Sequence, residues 1–441
     1  EGYGSLYLNI TSLSDAFTTG NSVGSLKYAI LKNTSTGTVS VANLLNQSFD
    51  IEKKGTITST GTKKILTKQL SNTTVNKYII VIYIDNNKAG NDIIGASFSG
   101  KISADANQGT AILGAAGDII DLYTEASKEE VTNNSITYNK APSVNLMNDR
   151  LGGTTSDLDG GNVRYYGSSP NNYIYFNCSD YSNQTSSTCE VWRIIGVFDG
   201  KVKLIRNTVI GSYSWDNKNT TTGAENNNLG ENDWTTSRLM KLLNPSDYYT
   251  IDTNDNGLGQ SLYYNSESGK CYSGQNNATT DCDFTSTGIK NDNTRNLIAE
   301  ATWNLGGWNT NSVYSNQMYG YERGTKVYSG RHTTWTGKIA LAYASDYGYA
   351  AEFGTDYCNK MLDVYNNTTC ISNNWMKTIL GTSSYGWLLT PNFSDSYHVW
   401  RINSAGNVYY YDFAFSANAV FPVLYLNSGA EFKGGDGSSA K

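Results

Sequence analysis

Charge and histidine are scarce in this 441-residue sequence: 16% of residues are Asp, Glu, Lys or Arg, and only His332 and His398 are histidine. The 33 basic residues are outnumbered by 39 acidic ones, giving a formal net charge of −6, and no basic stripe is present. Such a chain offers little to a phosphate backbone, so nucleic acid is not expected as a partner. Neither histidine stands in a recognisable nucleophile or metal motif. Acidic residues are plentiful, but no spacing singles out a glycosidase-type pair. The expectation is a protein that is not an enzyme, with a glycan-modifying enzyme as the residual alternative. Long apolar runs are also missing, and no transmembrane segment is expected. The longest run, Tyr78–Ile84, has the length of a strand rather than of a membrane span.

What takes the place of charge is hydroxyl and amide chemistry. The chain holds 33 Tyr and 43 Gly, with abundant Asn, Ser and Thr, and 12% of it is aromatic. That content and the strand patterns exclude disorder, and the length implies two or three domains. Polarity of this sort suits an extracellular β-protein with long hydrogen-bonded loops.

Six cysteines form three close pairs: Cys178 with Cys189, Cys271 with Cys282, and Cys358 with Cys370. A zinc site would want tighter spacing or Cys/His knuckles, and neither histidine is near a cysteine. Three local disulfides are expected, each worth about 2–3 kcal/mol through loop entropy. Stable disulfides imply an oxidising location, so the protein is expected to be exported. The first residue, Glu1, is read as that of a mature product whose leader has been removed. The Asn-x-Ser/Thr triplets, such as those at Asn177, Asn219, Asn277 and Asn367, follow from composition.

The expected fold is mainly β. Residues 1–117 read as a cysteine-free β-sandwich or jelly roll. Leu6, Leu8 and Ile10 alternate with polar neighbours, and further strands fall near Leu26–Leu31, Thr56–Ile57, Ile65–Leu70, Lys77–Ile84 and Ala96–Ala104. Residues 118–140 read as a helical linker. Residues 141–441 read as a larger disulfide-stapled α+β domain that holds all nine tryptophans. Its strands are expected at Val191–Phe198, Val202–Ile205, Lys338–Tyr343 and Asn407–Tyr411. Short helices are expected at Asn293–Trp303, at Asn373–Leu380 and over Leu239–Leu243, the last capped by Asp233 and ended by Asn244-Pro245.

Two stretches are familiar. Tyr78-Ile-Ile-Val-Ile-Tyr-Ile-Asp85 with Gly95-Ala-Ser-Phe-Ser-Gly-Lys-Ile-Ser-Ala-Asp105 resembles the camelysin-like fibre proteins of Gram-positive biofilms. That resemblance implies a jelly-roll subunit that polymerises by lending an N-terminal strand to its neighbour. Leu6, Leu8 and Ile10 would be the donated side chains, and the chain's own copies the filament partners. The second region carries, in order, Val191-Trp-Arg-Ile-Ile-Gly-Val-Phe198, Asn232-Asp-Trp-Thr-Thr-Ser-Arg-Leu-Met240 and Ile339-Ala-Leu-Ala-Tyr-Ala-Ser-Asp-Tyr-Gly348. Trp387-Leu-Leu-Thr-Pro391 and Phe421-Pro-Val-Leu-Tyr-Leu426 follow. This set resembles an uncharacterised module of secreted proteins from gut Gram-positive bacteria, with a closing pattern similar to C-type-lectin-like folds. The module usually has arginine where this chain has Phe421. The resemblances together imply a cell-surface filament subunit displaying an adhesive domain. The alternative is a monomeric wall-tethered adhesin that binds a glycan or host protein.

Three groups of site residues remain. Tyr397 and His398, with Arg401, are the expected ligand-facing set, aromatic rings beside hydrogen-bonding groups being what a sugar face requires. Trp387 and Trp400 are assigned to the core. Asp252, Asn254 and Asn256 copy the opening of a calcium loop before Gly257, but Tyr263 stands where the bidentate acid belongs. A polar turn accounts for them equally, as it does for Asp157 and Asp159, so no cofactor is expected apart from that weak calcium candidate.

Overall fold

A computed structural model describes the chain except residues 1, 33–49, 71–74, 109–112, 152–160, 218–228, 252–257, 276, 384 and 440–441. It is mainly β and divides into two units, Glu1–Asp121 with Glu431–Gly435, and Leu122–Ala430 with Asp436–Lys441.

The first unit contains β1 (Gly2–Leu13), β2 (Leu26–Lys32), β3 (Asp50–Thr56), β4 (Gly61–Leu70), β5 (Tyr78–Ile84) and β6 (Phe98–Gln108). They form two antiparallel three-stranded sheets, ordered β4-β1-β6 and β3-β2-β5. One apolar core draws on both: Leu8 and Ile10 from β1, Leu26, Tyr28 and Ile30 from β2, and Ile65 and Leu66 from β4. The alternation seen in the sequence therefore serves this unit's own core, with Leu6 packed at its margin. β1 is the central strand of its sheet, in register with β4 from Gly2↔Leu70 to Ile10↔Gly61 and with β6 from Gly2↔Gln108 to Leu13↔Phe98. Both of its backbone edges are occupied by strands of its own unit, whereas the donor role expected for Leu6, Leu8 and Ile10 would place the strand in a neighbouring copy.

The expected linker 118–140 is also different. A helix runs from Gly114 to Glu125, and Glu129–Asn133 and Ile136–Ala141 then form a hairpin, β7 and β8. These strands continue through β9 (Leu146–Asn148), β10 (Val163–Tyr165), β11 (Tyr173–Phe176), β12 (Glu190–Phe198) and β13 (Lys201–Arg206). β14 is Ser212–Ser214; β15 (Ser268–Tyr272) pairs with β16 (Thr279–Asp283), and β17 (Ala301–Asn304) with β18 (Thr334–Gly337). Last come β19 (Ile339–Ala340), β20 (Tyr385–Pro391), β21 (His398–Asn403), β22 (Val408–Phe413), β23 (Ala417–Ala419) and β24 (Val423–Tyr425). A nine-stranded sheet is ordered β19-β24-β13-β12-β10-β9-β8-β7, with β11 also on β12, and a five-stranded sheet is ordered β14-β23-β20-β21-β22.

Local details correct other expectations. The helix Arg238–Leu243 is capped by Ser237, whose hydroxyl accepts from the Met240 N–H at 3.1 Å. Asp233 instead accepts from the Thr235 N–H and hydroxyl, closing a turn one step earlier. The Asn293–Trp303 stretch is helical only within Asp292–Leu297 before β17 begins, and Asn373–Leu380 only at Lys377–Leu380. Of Lys338–Tyr343, Ile339–Ala340 is strand. All three disulfides are present with neighbour-to-neighbour connectivity.

The core of the second unit is aromatic and contains a buried ionic cluster. Trp192, Trp215, Trp234, Trp303, Trp375, Trp387 and Trp400 are fully buried, which places the last two in the core as expected. Asp346 accepts from the Arg164 guanidinium at 3.0 Å and the Lys203 ammonium at 2.5 Å, while Arg164 also meets Asp149 at 2.5 Å. Each of these four side chains is at most 1% exposed. Burial drives the Lys203 ammonium down to about 8 against the pull of Asp346. Burial opposes the charge on Asp346, but Lys203 and Arg164 outweigh it and hold the carboxyl below its ordinary value.

Candidate functional site

The five-stranded sheet ends on β22, which pairs with β21 and lies at the edge of the order. Its sequence, Val-Tyr-Tyr-Tyr-Asp-Phe, leaves Tyr411 51% and Phe413 37% exposed, with Tyr409 half-buried. The register with β21 shifts between the pairs Val399↔Asp412 and Arg401↔Tyr409, so strict alternation is interrupted within β22 and the rings of Tyr409, Tyr411 and Phe413 are related by their contacts rather than by a two-residue period.

These rings meet the residues expected from the sequence. His398 lies 4.9 Å from the Phe413 ring, 6.3 Å from Tyr411 and 4.5 Å from Tyr397, and Tyr397 stacks on Phe413 at 5.9 Å. Tyr411 meets Tyr409 at 6.3 Å. The Arg401 guanidinium covers the Tyr385 ring at 3.5 Å and reaches Tyr409 at 5.0 Å, while pairing with Asp412 at 2.8 Å. Tyr385 is itself 42% exposed. Phe415 extends the row by stacking on Phe413 at 5.3 Å. Tyr397, His398 and Arg401 are thus joined through β22 into one continuous aromatic path, with charged groups set between the rings.

The loop before β21 is held rigidly. The Asn232 side-chain amide donates to the carbonyls of Asn392, Asp395 and His398, and its backbone N–H to Ser396. Asp395 accepts from the backbone N–H groups of Tyr397 and His398 and contacts the His398 ring at 2.8 Å. Burial opposes its charge, but these hydrogen bonds outweigh burial and hold the Asp395 carboxyl below its ordinary value. His398 therefore has a fixed orientation before any ligand arrives, which lowers the entropy cost of binding.

No family model, no curated protein and no solved structure matches the chain.

The arrangement supplies stacking surfaces and hydrogen-bond groups. Tyr385, Tyr409, Tyr411 and Phe413 were not singled out as site residues from the sequence, although Asn407–Tyr411 was expected as a strand. The density of rings in Val408–Phe413 is the signal that would have found them. The calcium candidate Asp252, Asn254 and Asn256 lies outside the described residues, as do Asp157 and Asp159. Tyr263, at the position where a bidentate acid belongs, is fully buried. His332 lies apart from the path, 3.5 Å from the Thr235 hydroxyl. Among the described residues no helix is long and apolar enough to cross a membrane.

Proposed function

We propose that this chain is an extracellular bacterial surface protein that works by adhesion, its second unit being a lectin-like display domain with carbohydrate as the ligand class. The observation that carries the reading is the path Tyr385–Arg401–Tyr409–Tyr411–His398–Phe413, exposed at Tyr385, Tyr411 and Phe413. Ring faces spaced along a strand take up the C–H faces of successive sugar units, and Arg401, His398 and Asp412 lie between them to meet hydroxyls. The disulfides support an oxidising location. The order of motifs across the second region supports the lectin-like assignment. An oligosaccharide array probed with the purified chain tests it: binding to at least one glycan, lost on replacing Tyr411, is the expected result. An array without bound glycans would count against it.

A second reading keeps the filament implied by the fibre-protein resemblance of the first unit. β1 occupies a slot between β4 and β6, and a slot of that kind accepts a neighbour's identical strand in an exchange. Ser5 and Thr67 are register partners with hydroxyls 3.3 Å apart. With both changed to cysteine, an exchanged strand gives a ladder of cross-linked chains on a non-reducing gel. A strand retained in its own unit gives a monomer band, and that result removes the exchange reading.

A further inference from the structure

The segment Asn232-Asp-Trp234 does more than pin the loop to β21. Gly230, at φ +76°, brings the chain so close to Asp216 that a Cβ there would lie 2.0 Å from its carbonyl oxygen, and the next residues turn into a pocket. The pocket encloses about 270 Å³ including its open mouth and narrows to room for one water-sized group. Trp215, Trp234, Tyr328 and Pro391 are among its walls.

Two of its lining residues each carry a buried polar atom without a hydrogen-bond partner: the indole N–H of Trp234 and the side-chain carbonyl oxygen of Asn232. Their residues are 1% and 3% exposed. A buried orphan donor and a buried orphan acceptor each cost free energy comparable to a lost hydrogen bond. One hydroxyl group answers both, because it accepts through a lone pair and donates through its proton. The charges on the wall narrow the ligand further. Asp233 and Arg331, 3.8 Å apart, are the acidic and guanidinium groups among its walls and offset one another, so these two side chains give no net attraction to an anion. Aromatic walls favour a ring with C–H faces over a small ion.

We propose that this pocket is a second binding site, distinct from the aromatic path, which takes one neutral pyranose with a single hydroxyl seated between Trp234 and Asn232. The site shares Asn232 with the loop that orients His398, but its occupancy does not depend on the aromatic path being a glycan face.

The test is a titration of the full chain with D-glucose, D-galactose, D-mannose, N-acetylglucosamine and D-glucuronate. Binding is followed by tryptophan emission, which Trp215 and Trp234 place at the site, and by calorimetry. One of the neutral sugars should bind saturably at about 1–10 mM, with glucuronate at least roughly tenfold weaker. Val327→Trp, which enlarges a lining residue at the expense of the pocket, should abolish that binding. Trp234→Phe, which removes the N–H, should weaken it by roughly tenfold or more. Tyr411→Ala should leave it unchanged, so failure of the aromatic-path reading shows separately, in the array. Near-ultraviolet circular dichroism checks that each variant folds, and if Trp234→Phe does not, Val327→Trp carries the test. The proposal is overturned if no sugar binds below about 100 mM, the result of a pocket holding only water. It is overturned equally if glucuronate binds as well as the neutral sugars, or if binding survives the Val327 substitution.

Discussion

Replacing Asp346 by Asn should be among the most damaging single changes available in the second unit. Four charges meet there, Arg164 and Lys203 against Asp149 and Asp346, and they balance. The substitution keeps the shape but leaves one net positive charge among side chains at most 1% exposed. Removing one partner of a buried pair costs about 3–5 kcal/mol, against a total stability of roughly 5–15 kcal/mol. In a thermal melt this is a fall of roughly 5–15 °C. The loss should depend on pH in a definite direction. With Asp346 present the Lys203 ammonium is already lowered to about 8 from 10.5, and without it the value falls further. Between the folded and unfolded values the unfolded chain binds the extra proton, so the variant gains stability as pH rises through that window. Its deficit should be large at pH 6 and much smaller at pH 9. Adding Lys203→Met should recover more than half of the loss, because both members of the pair are then gone. A deficit below about 1 kcal/mol at pH 6, or one equal at both pH values, would refute the reasoning.

Other changes probe the remaining parts. Non-reducing peptide mapping should recover the three pairs Cys178–Cys189, Cys271–Cys282 and Cys358–Cys370, and deleting the last pair should lower stability by about 3 kcal/mol. Leu8→Asp puts a charge in the core of the first unit, where Leu8 is 1% exposed, so that unit should unfold while the second keeps its near-ultraviolet signal. Asn232→Ala removes three anchors of the loop before β21, and glycan affinity should drop by about tenfold as that loop loosens. Asp395 is held below its ordinary value of 3.8. Its contribution is therefore complete above that pH and lost as pH falls through the folded value, so loop order followed by amide exchange should fail only in acid.

Strands whose apolar residues alternate were legible from the sequence: β1, β4, β5, β12 and β13 fall where periodicity puts them. β3, Asp-Ile-Glu-Lys-Lys-Gly-Thr, was met only at its last residue by the strand expected at Thr56–Ile57, because a strand at the edge of the order β3-β2-β5 among the described residues has no continuous apolar face to display. The hairpin of β7 and β8 was hidden for a similar reason, its charged ends reading as the tail of a helix. The alternation of Leu6, Leu8 and Ile10 announces a buried strand but carries no mark of whose core receives it, since the same pattern suits either. Tyr397, His398 and Arg401 were legible by residue type. Their continuation through Tyr409, Tyr411 and Phe413 was not, because β22 reads equally as an ordinary half-buried strand until its place at the sheet edge is known. The buried cluster around Asp346 joins residues from Asp149 to Asp346 and has no local signature at all.

The central claim, that the aromatic path carries adhesion, is tested most directly by one titration. A glycan bound on the array is titrated against the native chain and against the double variant Tyr411→Ala, Phe413→Ala. These side chains are 51% and 37% exposed, so the fold should be unaffected. Two anchoring rings are worth about 1–2 kcal/mol each, and affinity should fall by at least roughly thirtyfold. An unchanged affinity in a folded double variant would contradict the account.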